Sequence, residues 1–290
     1  MKYLKTYNQL NEGLRDKMVG ISEEKVEKLL EGLSDNDKVD MIFKQGLDYK
    51  YLPRNTKGWC VYTRNLNLKY LDIKLEKLPE KLVVRGSLDA SYNKITEYPK
   101  DLIVKKNINF THNKLTKLPD DLTVNGDLHI SHNKLTELPK GLKVSGTLYC
   151  TNNNIKEIPE DIIVNGFIFA SHNKVKEIPE KLHIGLGLDL SSNELTSFPS
   201  VIKFEEMIIV NDNEISSLPP NLHIPGSLNC SINKLTQLPK GLVVDGNLFC
   251  NKNEISELPD DLIVRGVLHI FGNPISKNIE KPEGVNEIKF

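Results

Sequence analysis

The chain has 290 residues, 39% of them hydrophobic and 27% charged, which is enough apolar content for a buried core and too much for disorder by composition. Thirty-eight Lys and Arg meet thirty-nine Asp and Glu, and the resulting net charge of −1 argues against a broad electrostatic nucleic-acid binder. Apolar stretches run only a few residues and residues 1–10 lack the apolar segment of a secretory signal, so the expectation is no membrane, no ordinary secretion and a cytoplasmic setting.

Residues 1–21 support two readings. Tyr3, Tyr7, Leu10 and Leu14 fall on one face of a helix that would extend a cap. Alternatively, Leu10-Asn-Glu12-Gly13 resembles the Leu/Ile-x-Glu and Gly/Ala/Ser site cut by prohead proteases of large tailed phages. The preceding Met1-Lys-Tyr-Leu-Lys-Thr-Tyr7 is similar to their short capsid-targeting peptides. That resemblance implies a bacteriophage protein processed between Glu12 and Gly13, packaged in the virion and delivered to a host.

Residues 22–65 predict a small helical cap. Ser22 precedes Val26, Leu29, Leu30 and Leu33 at helical spacing, and Ser34 precedes Val39, Ile42 and Phe43, with Gly46 as the stop. A helical hairpin before a repeat array covers the apolar edge of the first unit; a binding helix is the other reading. Trp59 and Cys60 then lead through Leu66, Leu68 and Ile73 into a degenerate first unit.

From residue 66 to residue 290 the chain is a repeat. Asn recurs every 20 residues from Asn93 to Asn273, and Pro every 20 from Pro79 to Pro259, without insertion or deletion. Apolar residues stand five and three before each Asn, as in Leu128 and Ile130, and this period of two marks a short strand with one face inward. Pro in every copy excludes a continuous helix, so the return half of each coil is expected to be extended or turn-like. A lone coil has no inside. Stacked coils bury about six apolar side chains each, and an inward amide can satisfy backbone groups that the turn leaves unpaired.

Leu128-x-Ile130-x-x-Asn133-x-Leu135-x-x-Leu138-Pro139 resembles a leucine-rich repeat of the short 20-residue kind familiar from bacterial effectors. The usual first leucine is displaced one residue earlier and is Val84, Val104, Val124 or Val144, mostly followed by Gly, a Val-x-Gly-x-Leu variant similar to many phage and bacterial repeats. The resemblance implies an α/β leucine-rich-repeat solenoid of about ten coils, with a parallel sheet on the concave face, an extended convex side and the helical cap at its head. It also implies a scaffold for protein–protein interaction. Effector relatives that act as ubiquitin ligases carry a catalytic Cys in a separate domain after the repeats, which is not expected in this sequence.

At the far end Ile288 and Phe290 repeat Leu268 and Ile270, and such an edge strand offers a homodimer or partner contact, or the joint of a structural or assembly component, which is the alternative to a binding scaffold. Cys60, Cys150, Cys230 and Cys250 form no CxxC pair and read as reduced, buried thiols. Enzyme motifs are missing, so no catalytic residue, metal or cofactor is expected. Gly185-Leu-Gly187 reads as repeat glycine, and His112, His132 and His172 as surface histidines. The pairs Asp120/Asp121 and Asp260/Asp261 read as solvated turn residues.

What remains is a surface. Residues six, four and two before each Asn should face outward from the concave sheet. Tyr149, Phe167 and Phe169 should then cluster on adjacent strands, with Met207 and Ile209 two coils further and Phe249, His269 and Phe271 near the end. Exposed aromatics on a sheet do not help folding, which makes these eight the candidate binding residues for a protein partner of unknown identity; tolerated β-propensity is the competing explanation.

Overall fold

The computed structural model describes residues 22–71, 74–201 and 205–290. The Glu12–Gly13 motif, the alternative first helix and Ile73 lie outside the described residues. Among those described, no helix is long and apolar enough to cross a membrane.

Two helices open the described chain, α1 (Glu23–Leu30) and α2 (Asp35–Gln45). Ser34 caps α2 by accepting from Asp37 N at 3.3 Å, and Gly46 ends it in the left-handed region at φ 61°. Ser22 precedes α1 but makes no side-chain capping bond, and α1 stops short of Leu33 because Gly32 turns left-handed at φ 72°. Val26, Leu30, Val39, Ile42 and Phe43 belong to the same continuous core as the repeats. The hairpin is tied to the first strand, Cys60–Tyr62, by polar contacts as well. Tyr62 Oη donates to Asp40 at 2.9 Å, and Thr63 N donates to Asn36 Oδ1 at 3.1 Å.

Behind the cap the chain winds into a parallel-β solenoid of about eleven turns. Strands such as Leu128–His129, Leu148–Tyr149 and Phe167–Phe169 pair in parallel with a constant offset, Leu128 beside Leu148 and Leu148 beside Ile168. The register runs on through Leu188, Ile208, Leu228, Leu248 and Leu268 to Ile288. Inside the coil from residue 128 to 147, Leu128, Ile130, Leu135, Leu138, Leu142 and Val144 are buried, the six side chains the pattern called for. The structure is a leucine-rich-repeat solenoid with a concave parallel sheet.

The return half is more ordered than expected. Pairs such as Thr123–Val124, Lys143–Val144 and Ile163–Val164 form a second parallel ladder, with Val144 beside Val164 and Val164 beside Ile184. Both ladders therefore impose the same spacing of about 4.8 Å per coil.

Each Asn bridges two coils. Asn153 Oδ1 accepts from Leu135 N at 3.0 Å, while Nδ2 donates to Ile130 O and Cys150 O, both at 3.0 Å. The acceptor half of this pattern holds at every Asn from Asn93 to Asn273. One amide thus satisfies a buried donor and two buried carbonyls that the strand-to-loop turn leaves over.

Glycine marks the closest approach of neighbouring coils. Gly166 N donates to Gly146 O at 2.9 Å, and a Cβ on Gly166 would lie 2.9 Å from that carbonyl. The return-turn acids Asp120, Asp121, Asp260 and Asp261 are exposed, and Asp261 Oδ2 also accepts from Gly241 N at 2.9 Å, linking adjacent coils. The four cysteines are buried and unbridged, and burial pushes the Cys150 and Cys230 thiols up to about 12. The last strand, Val285–Lys289, pairs with Ile263–His269. Lys281 Nζ donates to Val285 O and Asn286 O, which occupies carbonyls near that edge.

Candidate functional site

Period two along the concave strands turns every second side chain away from the core. Three outward columns result, six, four and two residues before each Asn. Most of their members are small and polar, and several bond within the face. Ser191 donates from both N (2.9 Å) and Oγ (2.7 Å) to Asp189 Oδ1, and Ser171 Oγ donates to Thr151 Oγ1 at 3.3 Å.

The central aromatics interrupt this polar surface. His129 and Tyr149 stack with ring centroids 4.3 Å apart, Tyr149 and Phe169 at 5.2 Å, and Phe167 and Phe169 at 5.4 Å. Stacking leaves Tyr149, Phe167 and Phe169 half-buried by one another while they remain on the solvent side of the sheet. Next to Phe167 in register comes Gly187, then Met207, which is 38% exposed; Ile209 lies one position over, beside Asp189. A Cβ at Gly187 would meet Met207 O at 2.3 Å and Phe167 Cε1 at 3.0 Å, so glycine leaves the floor between the two side chains clear. His129 is the ionisable base within this cluster. Burial lowers its pKa, against the opposing pull of Asp127 and Asp89.

The candidate residues nearer the C-terminal edge form a separate group. Phe249 and His269 stack at 4.4 Å, and Phe271 stands 62% exposed with its N–H donating to Asn251 Oδ1 at 2.9 Å. The structure thus brings Tyr149, Phe167 and Phe169 together, sets Met207 and Ile209 two coils along the same face, and holds Phe249, His269 and Phe271 apart from them.

A second aromatic row joins two of the surface histidines to a pair of tyrosines. Tyr92, His112 and His132 stack along the rim where concave strands turn into loops, with centroids 4.4 and 4.1 Å apart, and Tyr70 packs against Tyr92 at 4.8 Å with its ring tilted by 37°. Lys69 Nζ lies 4.7 Å from the Tyr70 centroid and 5.2 Å from that of Tyr92. From Tyr92 to Lys252 this column, one residue before each Asn, is left-handed throughout. The usable signal was the column itself, once Tyr and His are counted as one aromatic class. Burial and the neighbouring His132 lower the pKa of His112. Among the described residues no group of three His, Cys, Asp or Glu side chains is placed to hold a metal ion.

No protein-family model and no curated protein sequence matches the chain. Solved structures do resemble it. A leucine-rich-repeat domain of a Shigella effector is 25% identical over 52% of this chain and 70% of its own length, with a TM-score of 0.42. YopM from Yersinia enterocolitica is 23% identical over 98% of this chain and 72% of its own, at a TM-score of 0.41. A leucine-rich-repeat protein from Bacteroides thetaiotaomicron is 19% identical at a TM-score of 0.49; it matches over 69% of this chain, which spans 33% of that protein's length. The fold assignment itself rests on the ladders and the asparagine bridges described above.

Proposed function

We propose that the chain is a non-catalytic, cytoplasmic scaffold that binds a protein partner through its concave sheet, centred on Tyr149, Phe167, Phe169, Met207 and Ile209. One observation carries the reading: three aromatic rings, Tyr149 and Phe167 each against Phe169, stand on the solvent side of a sheet whose other outward positions are mainly small and polar. The fold gains little from rings in that place, whereas desolvating them against a partner stabilises a complex. The test is Phe167→Ser with Phe169→Ser. Partner capture should be lost while the thermal transition stays within a few degrees of wild type; unchanged capture by a folded double variant would sink the reading.

A virion itinerary is compatible with the same surface and has one specific support, the cleavage-like sequence at Glu12–Gly13. Mass spectrometry of packaged protein tests it, and an intact Met1 there would exclude processing.

A further inference from the structure

We infer that the central concave patch receives a basic segment of a partner protein, with an arginine or lysine seated beyond Phe169 against Asp189 and an apolar side chain over Gly187. The inference rests on the concave-face reading above and adds the charge of the occupant.

The first support is the partition of charge. The three outward columns belonging to Asn93 through Asn273 comprise thirty positions, where the chain-average frequency would place about four Lys or Arg. They hold none. They do hold three carboxylates, Asp89, Asp127 and Asp189. Neutral donors alone are seen on these: Asp127 accepts from Thr147 N and Asn107 Nδ2, and Asp189 and Asp89 each from a serine two residues on. Among the described residues none of the three has an ion pair. With the pKa of His129 lowered by burial, no cation among the described residues pairs with them in the centre of the face.

The second support is position. Asp189 is the in-register neighbour of Phe169. The ring stack running His129, Tyr149, Phe169 therefore meets a carboxylate where the next ring would stand. A planar guanidinium in that place continues the stack and bonds the carboxylate, the two interactions an arginine makes best.

The third is the surrounding field. Between Lys181 and Lys234 the sequence has six carboxylates and, apart from His183 and His223, one basic residue, Lys203. Glu194 pairs with Lys176 and Glu214 with Lys234. Glu205 and Glu206, both exposed at the entry to the Met207–Ile209 strand, have no ion pair among the described residues. A cationic segment is attracted here and a polyanion repelled.

The experiment pans a random 12-residue peptide library against the whole protein and resynthesises the enriched peptides. Binding is then measured to wild type, to Asp189→Asn and to the Phe167→Ser/Phe169→Ser double variant, with melting curves to check folding. Asn at 189 keeps the acceptor that Ser191 uses, so only the charge is removed. The expected result is enrichment of Arg or Lys beside an apolar residue. Affinity should fall about fivefold in Asp189→Asn and at least about tenfold in the aromatic variant. No enrichment, enrichment without basic residues, or indifference to Asp189→Asn would overturn this inference while peptides that still need Phe167 and Phe169 uphold the concave-face reading. Peptides indifferent to the aromatic variant would overturn both.

Discussion

Replacing Asn153 by Ala tests the contact on which the stack of coils depends. The amide is buried and bonds closely to three backbone groups, Leu135 N–H, Ile130 C=O and Cys150 C=O, with a longer bond to Thr151 C=O at 3.4 Å. Alanine leaves the N–H without a partner in a buried turn, a loss of about 1–3 kcal/mol, and weakens two carbonyls by about 0.5–1.5 kcal/mol each. The sum is about 2–6 kcal/mol, large against the usual stability of a domain. Because a solenoid holds together only through neighbouring coils, the loss should also uncouple the two flanking halves. Urea unfolding followed by circular dichroism should show a lower midpoint and a broadened or two-step transition. Asn193→Ala supplies the control. Asn193 makes the same three contacts, to Val175 N, Ala170 O and Leu190 O, but is only part-buried, so water can replace them and the loss should be about half. A drop below about 1 kcal/mol for Asn153→Ala, with an unchanged slope, would refute the account of the amide as the inter-coil bridge.

Three further outcomes follow from the backbone and the histidines. Gly166→Ala places a Cβ 2.5 Å from Thr147 Oγ1 and 2.9 Å from the Gly146 backbone, and should lower stability by about 1–3 kcal/mol; a melting temperature equal to wild type would contradict the close-approach argument. Ile232 is β-branched yet left-handed at φ 55°, so Ile232→Asn should raise stability by about 1 kcal/mol, and a calorimetric melt at or below wild type would count against backbone strain there. His112 and His129 both have folded-state pKa values depressed by burial, so the native state binds fewer protons than the unfolded chain. Their contribution is complete above the ordinary histidine pKa and is lost as pH falls through the folded-state values. The melting temperature of wild type relative to a His112→Asn/His129→Asn variant should therefore fall between pH 7.5 and pH 5; a pH-independent difference would be the contrary result.

The inward half of this architecture was legible because each inward position recurs with one physical job. Leu128, Ile130 and Asn133 can be placed from spacing alone, since period two and an invariant 20-residue step admit one register. Ser34 and Gly46 gave the limits of α2 because capping is local chemistry. The second ladder was harder to see. Thr123–Val124 and most of its equivalents are two-residue strands, and an extended return without pairing has the same sequence pattern. The left-handed column was hidden for another reason. Tyr92, His112, Ser192, Ile232 and Lys252 share no side-chain chemistry, only a φ near 55°, so their identities conceal a common backbone state. The same column marks His112 and His132 as surface histidines, but their contact with Tyr92 and Tyr70 depends on that backbone state. On the concave face, sequence placed the aromatics in neighbouring columns, but the contacts of Phe169 with both Tyr149 and Phe167 depend on ring orientation, which spacing does not specify.

That division has a consequence for how such a surface can specialise. Six inward side chains and one amide per coil complete the packing and the hydrogen bonding, so most outward positions can change without much effect on stability. Gly187 is the exception on the patch. Its missing side chain is demanded from below by the Met207 carbonyl 2.3 Å from a hypothetical Cβ, and from above by Phe167 at 3.0 Å. The same atom-sized vacancy therefore serves the stacking of coils and the shape of the face between Phe167 and Met207. Where fold and recognition depend on one residue in this way, the surface cannot drift there while the coils keep their spacing, and the position between the aromatic stack and Met207 becomes the fixed point around which the remaining outward residues are free to vary.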